Sequence, residues 1–235
     1  MDAKADLFYN TKTDVYGDTF NLLVLDDEAE VNRMLCMTIA DTYPELIVLS
    51  CVHPARALSL MNELYFDILI TDINMPALRG DAVIEQVRRR SPTTYIMAMT
   101  GHTMESAFIA GKAKPDFFLD KNKGFAPLID DINKGIQASL SRQIKVLSAV
   151  NQKSDPEEAS QHLHWRERKK LFNALGFKPR EISQSRELVK AIAILSGLKE
   201  MTKEEIAFCT GFSSYQRLLN QLNVLSGFIT LPSLP

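Results

Sequence analysis

Short apolar runs alternate with amphipathic segments along the first 140 residues of the chain. Five runs have the length of buried strands and end in polar or turn-forming residues: NLLVLDD, LIVLSCV, FDILITDI, TYIMAMTG and DFFLDK. Between them, apolar residues recur at a helical spacing, as Val31, Leu35 and Ile39 do. Continuous apolar strands that alternate with helices are typical of a parallel sheet covered on both faces. The pattern therefore predicts a doubly wound α/β domain around a five-stranded parallel sheet.

The alternation ends with a long helix, predicted from about Ala126 to Val150. The next segment, NQKSDPEEASQ, is polar and contains a proline, which indicates a linker. Beyond it the pattern is mainly helical, so we predict a smaller, mainly α-helical C-terminal domain. The predicted divisions are an N-terminal tail (1–20), the α/β domain (21–140), a helix extension and linker (141–160) and the C-terminal domain (161–235).

Composition and charge narrow the class of protein. Apolar residues make up 46% of the chain and charged residues 24%, which suffices for buried cores. No apolar stretch approaches the length of a membrane span, and the three cysteines lie far apart. These features predict a cytoplasmic protein with no membrane partner. Residues 1–150 are net negative and residues 151–235 are net positive, which suggests two modules with different partners.

Chemically reactive side chains lie at the ends of the predicted strands. Asp26 and Asp27 end the first strand, Asp72 the third, Thr100 the fourth and Lys121 the fifth. The carboxyl ends of parallel strands meet at one edge of the sheet, where ligands bind. Carboxylates about 4 Å apart repel by roughly 4 kcal/mol at an effective dielectric near 20, so a cation between them is favoured. Oxygen ligands of this kind suit Mg²⁺.

Four motifs at these positions, LVLDDE, TDINMPALRGD, MTG and FLDKN, resemble in order and spacing the receiver domains of two-component response regulators. The resemblance covers roughly residues 20–140 and implies a flavodoxin-like fold. It also implies a partner, either a sensor histidine kinase or a phosphotransfer protein, and allows a homodimer through this domain. Such a protein receives a phosphoryl group and loses it slowly by itself, so we do not expect an enzyme with its own substrate.

The resemblance assigns roles around the acceptor. Asp72 is expected to take the phosphoryl group. Mg²⁺ is expected to bind Asp27, Asp72 and the backbone carbonyl of Asn74, while Asp26 would act through a water ligand. These assignments follow from the family's motifs and not from spacing alone.

The resemblance also names the residues that would respond to phosphorylation. Thr100 and Lys121 are expected to contact the phosphoryl group, and Phe118 is the aromatic residue that would follow Thr100 inward. Two features depart from the family pattern: Asn122 replaces the usual proline after the lysine, and Phe118 stands where tyrosine is common. The first departure leaves two alternatives open: a different conformation of the loop that carries Lys121, or a substitution without structural consequence.

The C-terminal segment predicts a helix-turn-helix. In GFSSYQRLLNQLNVLSG, Leu218, Leu222 and Leu225 form an apolar helical stripe behind a glycine-containing turn. The segment resembles the second helix-turn-helix of AraC-type regulators, although a winged helix with GFITL as a strand fits as well. The start of the second helix would enter a DNA groove, and its expected DNA-binding residues are Ser213, Ser214, Tyr215, Gln216 and Arg217.

Three functions stay open from the sequence. The first is a transcriptional regulator that phosphorylation of Asp72 switches. The second is a phosphorylation-dependent adaptor whose helical C-terminal domain binds a protein. The third is RNA binding through the same domain, because AIAILSGLKEMTKEEIAF resembles the three-helix antiterminator module.

Overall fold

The structure of the protein is a computed structural model. It describes residues 6–8, 20–44, 46–101, 113–151, 191, 202–203, 206–207, 210 and 212–227. The predicted helix around Met104–Ala110, the linker that begins after Asn151 and the GFITL strand fall wholly or mostly outside these residues.

The core of the fold is a six-stranded sheet with the order β1-β3-β2-β4-β5-β6. Its strands are β1 (Asp6–Phe8), β2 (Phe20–Leu25), β3 (Leu46–Cys51), β4 (Ile68–Asp72), β5 (Tyr95–Thr100) and β6 (Phe117–Asp120). Strands β2 to β6 pair in parallel, which confirms the five predicted parallel strands. Because β2 to β5 are buried on both faces, their apolar runs are plain in the sequence.

The edge strand β1 corrects the predicted N-terminal tail. It pairs antiparallel with β3, with Asp6 opposite Ser50 and Phe8 opposite Val48. A strand of three residues is too short for a period-two pattern to stand out from its surroundings. The sheet is therefore mixed, with one antiparallel strand at its edge.

Three helices connect parallel strands: α1 (Ala29–Thr42), α2 (Pro54–Glu63) and α3 (Gly80–Arg90). A short 3₁₀ helix (Lys121–Lys123) and the helix α4 (Ala126–Asn151) follow the last strand, β6. The predicted long helix from Ala126 is confirmed and has 26 residues. Pro54 opens α2, a position that suits proline because the first turn leaves its backbone nitrogen without a helical acceptor.

Two apolar clusters lie on the two faces of the sheet. One includes Leu60 of α2 and Val83 of α3, and the other includes Ile39 of α1 and Ile132 of α4. Burial of each large apolar side chain stabilises the fold by about 1.5–3 kcal/mol. The clusters hold the sheet between two helical layers, as the doubly wound prediction requires.

A cluster of charged side chains joins helices to the sheet at the edge where the parallel strands begin. The carboxylate of Asp116 accepts hydrogen bonds from the guanidinium groups of Arg88 on α3 and Arg142 on α4. It also accepts one from the backbone nitrogen of Ile96 at 2.8 Å. Arg142 further lies over the ring of Tyr95, 5.7 Å from its centroid. Asp116 thus fixes α3 and α4 to β5.

Near the C-terminus, helix α5 spans Tyr215–Leu225. Its N-cap is Ser214, whose hydroxyl oxygen accepts a hydrogen bond from the backbone nitrogen of Arg217 at 3.3 Å. Leu218 and Leu222 are buried, as the predicted stripe requires, and they pack in the same apolar cluster as α2 and α3.

Candidate functional site

Three carboxylates meet where β2 and β4 end. Asp26 and Asp27 follow β2, and Asp72 is the last residue of β4. Asp26 and Asp72 are buried, whereas Asp27 is half-buried. Each of the three offers a carboxylate oxygen, and these oxygens lie within 4.8 Å of one another. The fold therefore brings together the acidic residues that the sequence placed at this edge.

Lys121 supplies positive charge to the acidic cluster from the 3₁₀ helix after β6. Its Nζ atom lies 2.7 Å from Asp26 Oδ2 and 3.5 Å from Asp72 Oδ1. The carboxylate of Glu28, at the start of α1, is also 3.5 Å away. The lysine side chain is only 12% exposed, so its ion pairs with the buried carboxylates are shielded from water.

The pKa values around Lys121 reflect this crowding. Burial raises the pKa of Asp72, and Lys121 offsets the increase only in part, while the charge of Asp26 adds to it. Burial also raises the pKa of Asp26 despite its hydrogen bond to Lys121. Burial alone would lower the pKa of Lys121, but its hydrogen bond to Asp26 and the negative charges of Asp26 and Asp72 raise it overall. The cluster favours additional positive charge.

The donor set fits a hard divalent cation. Asp72 Oδ1 is buried and accepts no hydrogen bond from the residues that the structure describes. Carboxylate oxygens that crowd together in this way suit Mg²⁺, which takes oxygen ligands and retains several waters. Asp27, Asp72 and the backbone carbonyl of Asn74 would hold the ion, with Asp26 bound through water. A bound Mg²⁺ would neutralise charge on phosphoryl oxygens beside Asp72.

Thr100 ends β5 next to this cluster and is buried. Its Oγ1 atom accepts a hydrogen bond from Asn74 Nδ2 at 2.9 Å. Phe118 lies on β6 opposite Ala98, and its side chain is 36% exposed. The sequence predicted a role for the backbone carbonyl of Asn74 at this site. It did not predict the contact of the Asn74 side chain with Thr100, because the two residues lie on different segments of the chain.

A glycine allows α3 to lie close against the end of β4. A Cβ atom at position 80 would lie 1.9 Å from the backbone oxygen of Asp72, so no side chain fits there. The backbone nitrogen of Gly80 also donates a hydrogen bond to Ile73 O at 3.0 Å. The backbone at Asp72 is therefore held in place both by its own strand, β4, and by the start of α3.

A surface cavity of about 630 Å³ opens beside Asp27. It lies between the start of α2 and the loop after β4, and its lining includes His53, Arg56 and Ala77. The sequence did not predict this cavity, because its walls come from α2 and from the loop after β4, which are separate segments of the chain. The cavity leaves open space next to Asp27.

The residues expected to bind DNA begin helix α5. Ser213, Ser214, Gln216 and Arg217 are exposed. The Nη1 atom of Arg217 donates to Ser213 Oγ at 3.0 Å. The ring of Tyr215 is half-buried, and its hydroxyl oxygen is buried as well.

Comparison with known proteins identifies the α/β domain. The family described as "Response regulator receiver domain" matches residues 22–133. These residues therefore form the receiver domain of a two-component response regulator. A receiver domain implies a histidine kinase or phosphotransfer protein as partner.

Individual relatives match over the same half of the chain. The hydrogenase transcriptional regulatory protein HoxA of Cupriavidus necator is 29% identical over 119 residues, or 50% of this chain and 24% of that protein. A protein-glutamate methylesterase/protein-glutamine glutaminase of Shewanella oneidensis is 28% identical over 134 residues, or 51% of this chain and 36% of that protein. The chain spans less than two fifths of the length of these relatives.

Solved structures also resemble the receiver part. The response regulator TrrA of Thermotoga maritima, in complex with Mg²⁺ and BeF, is 22% identical, with a TM-score of 0.45. The match covers 50% of this chain and 99% of TrrA. Within the described residues, no helix has the length and apolar character needed to cross a membrane.

Proposed function

We propose that Asp72 is the phosphoacceptor of a response regulator that a sensor histidine kinase controls. A carboxylate oxygen of Asp72 attacks the phosphorus atom of a phosphohistidine and forms an O–P bond. The P–N bond breaks, and its electron pair stays on the imidazole nitrogen, which takes up a proton. Water later hydrolyses the acyl phosphate and restores Asp72, so the chain has no separate enzymatic substrate in this proposal.

The observation that carries the proposal is the position of Asp72 Oδ1. This oxygen is buried, lies 3.5 Å from the ammonium of Lys121 and accepts no hydrogen bond within the described part of the chain. Its lone pairs are thus available to a phosphorus atom. The raised pKa of Lys121 keeps the ammonium charged at neutral pH, where it stabilises negative charge on the transferring group.

Phosphorylation then changes the charge balance at the strand ends. A phosphoaspartate carries about −1.5 to −2 charges in place of −1. The new oxygens can accept a hydrogen bond from the hydroxyl group of Thr100, and Thr100 would have to turn away from its present contact with the Asn74 amide to donate it. Rotation of Thr100 would leave space that Phe118 on the neighbouring strand fills, and the surface around β6 and the start of α4 would repack.

The proposed output is DNA binding by the C-terminal segment. Residues 151–235 are net positive, and the exposed side chains at the start of α5 can donate to phosphates or base edges. Transcriptional regulation by phosphorylation combines this surface with the receiver domain. Within the family, HoxA is named as a transcriptional regulatory protein.

The phosphoacceptor is tested by the substitution Asp72→Asn in the full chain. Incubation with radiolabelled acetyl phosphate and Mg²⁺ should label the wild-type protein, whereas Asp72→Asn should take up no label because the amide is a poor nucleophile. Asp81→Asn makes the same chemical change on α3, outside the carboxylate cluster, and should be labelled normally. Equal labelling of Asp72→Asn and the wild type would exclude Asp72 as the acceptor.

A further inference from the structure

The pairing of β5 with β6 ends beside the acceptor site. The last paired residues are Thr100 and Asp120, and the chain then turns into the 3₁₀ helix Lys121–Lys123. The side chain of Asn122 continues the contact beyond that point, because its Nδ2 atom donates a hydrogen bond to Gly101 O at 3.0 Å. A side-chain amide thus adds one more link between two segments whose backbone pairing has ended.

The same amide is fixed at its other hydrogen atom. Asn122 Nδ2 donates a hydrogen bond to Asp120 Oδ1 at 2.9 Å. The same oxygen also accepts a hydrogen bond from the backbone nitrogen of Asn122 at 3.0 Å. Both amide hydrogens therefore have acceptors. Hydrogen bonds to a carboxylate are stronger than those between neutral groups, so Asp120 holds the amide in place.

We refer to Asp120, Asn122 and Gly101 as the amide clasp. The clasp connects the residue after Thr100 with the residues on both sides of Lys121. Thr100 and Lys121 come from different strands, and in the proposed function both must reach the same phosphoryl group. Among the described residues, no atom lies within 4 Å of where a Cβ atom on Gly101 would be, so the bond from Asn122 to the Gly101 carbonyl adds a constraint that their packing does not supply.

We propose that Asn122 is a positioning residue for phosphoryl transfer at Asp72. By joining Gly101 to the Lys121 turn, it holds Thr100 and Lys121 at the separation that a shared phosphoryl group requires. This inference rests on the proposed function. Within the part of the chain that the structure describes, the hydrogen bonds of Asn122 go to Asp120 and Gly101 and not to Asp72, so Asn122 acts through the backbone.

The test compares four variants of the full chain for initial labelling by acetyl phosphate with Mg²⁺, and for the lifetime of the label. Asn122→Ala should reduce the initial rate about five- to tenfold, because misplaced catalytic groups lower the rate strongly. Asn122→Asp should reduce it further, since a carboxylate would face the carboxylate of Asp120 and the carbonyl of Gly101. Asn122→Gln retains the amide and should recover part of the rate.

Lys123→Ala is the matched control, because Lys123 is exposed in the same 3₁₀ helix. It should label at the wild-type rate. If Asn122→Ala does the same, the clasp does not position the site, while the phosphoacceptor proposal stands. If the wild type itself takes up no label, the proposed function fails and the inference fails with it.

Thermal unfolding of each variant separates positioning from folding. If Asn122→Ala is unfolded at the assay temperature, the comparison moves to Asn122→Gln and Asn122→Asp, which keep a polar side chain of similar size. A faster rate for the glutamine variant supports the inference. Equal rates for these two folded variants would overturn it, because only glutamine can donate to Gly101.

Discussion

The side-chain amide of Asn74 donates a hydrogen bond to Thr100 Oγ1 across 2.9 Å. Thr100 is the residue expected to turn toward a phosphoryl group, and Asn74 lies two positions after the acceptor Asp72. The bond therefore stabilises the unphosphorylated position of Thr100 with a group from the acceptor's own loop. A typical hydrogen bond contributes about 1 kcal/mol net.

Asn74→Ala should make the activated state easier to reach. Loss of about 1 kcal/mol from the resting state should tighten binding of beryllofluoride, a phosphoryl mimic, about fivefold. Calorimetric titration in the presence of Mg²⁺ measures this change. Thr100→Ala breaks the same bond but also removes the hydroxyl group, so its affinity should not increase. Unchanged affinity in Asn74→Ala would mean that the bond does not restrain Thr100.

Asp27→Asn should weaken Mg²⁺ binding. The substitution removes one anionic oxygen ligand but retains the size of the side chain, and we expect about a tenfold loss of affinity. Calorimetric titration of the unphosphorylated protein with Mg²⁺ is the direct measurement. Asp41→Asn, at an exposed position of α1, is the control for a lost surface charge. Wild-type affinity in Asp27→Asn would place the ion elsewhere.

Asp116→Asn should destabilise the fold in a pH-dependent way. Burial alone would raise the pKa of Asp116, but the hydrogen bonds from Arg142 and Arg88 outweigh it and lower the pKa below 3.8. The ionised carboxylate therefore contributes stability above pH 3.8, and this contribution is lost as the pH falls through the lowered pKa. We expect Asp116→Asn to lower the free energy of unfolding by about 2 kcal/mol at pH 7, since the ion pairs are only partly buried.

Denaturant unfolding at several pH values checks this prediction. The difference in the free energy of unfolding between the wild type and Asp116→Asn should be largest at pH 7 and should shrink below pH 3.8. Asp130→Asn, at an exposed position of α4, should show little difference at either pH. A constant difference across the range would mean that the charge of Asp116 is unimportant.

DNA binding by the C-terminal segment should depend steeply on salt. If about four basic residues contact phosphates, log affinity should fall against log salt with a slope of about −3.6. If Arg217 contacts phosphate, Arg217→Ala should make the slope less steep by about one unit. Asn223→Ala, on the same helix, should leave the slope unchanged. Absence of DNA affinity at low salt in the phosphorylated full chain would favour the adaptor.

The sequence predicted the features that arise from burial along a strand. Each parallel strand is apolar on both faces, so five strands and their reactive ends were visible as runs. Strand β1 was missed because three residues carry too little pattern. The bond between Asn74 and Thr100 and the clasp at Gly101 join residues 26 and 21 positions apart, and their partners depend on how the strands are placed.

Gly80 has a consequence for how this chain can vary. In an exposed helix, alanine is usually better than glycine by about 1 kcal/mol. At position 80 that preference is reversed, because a methyl group would overlap the carbonyl oxygen of Asp72. Any side chain there would push α3 and the acceptor strand apart before it affected either apolar cluster. Glycine at this position thus allows the short distance between α3 and the end of β4. A chain with any other residue at 80 would need a different conformation of the loop between β4 and α3.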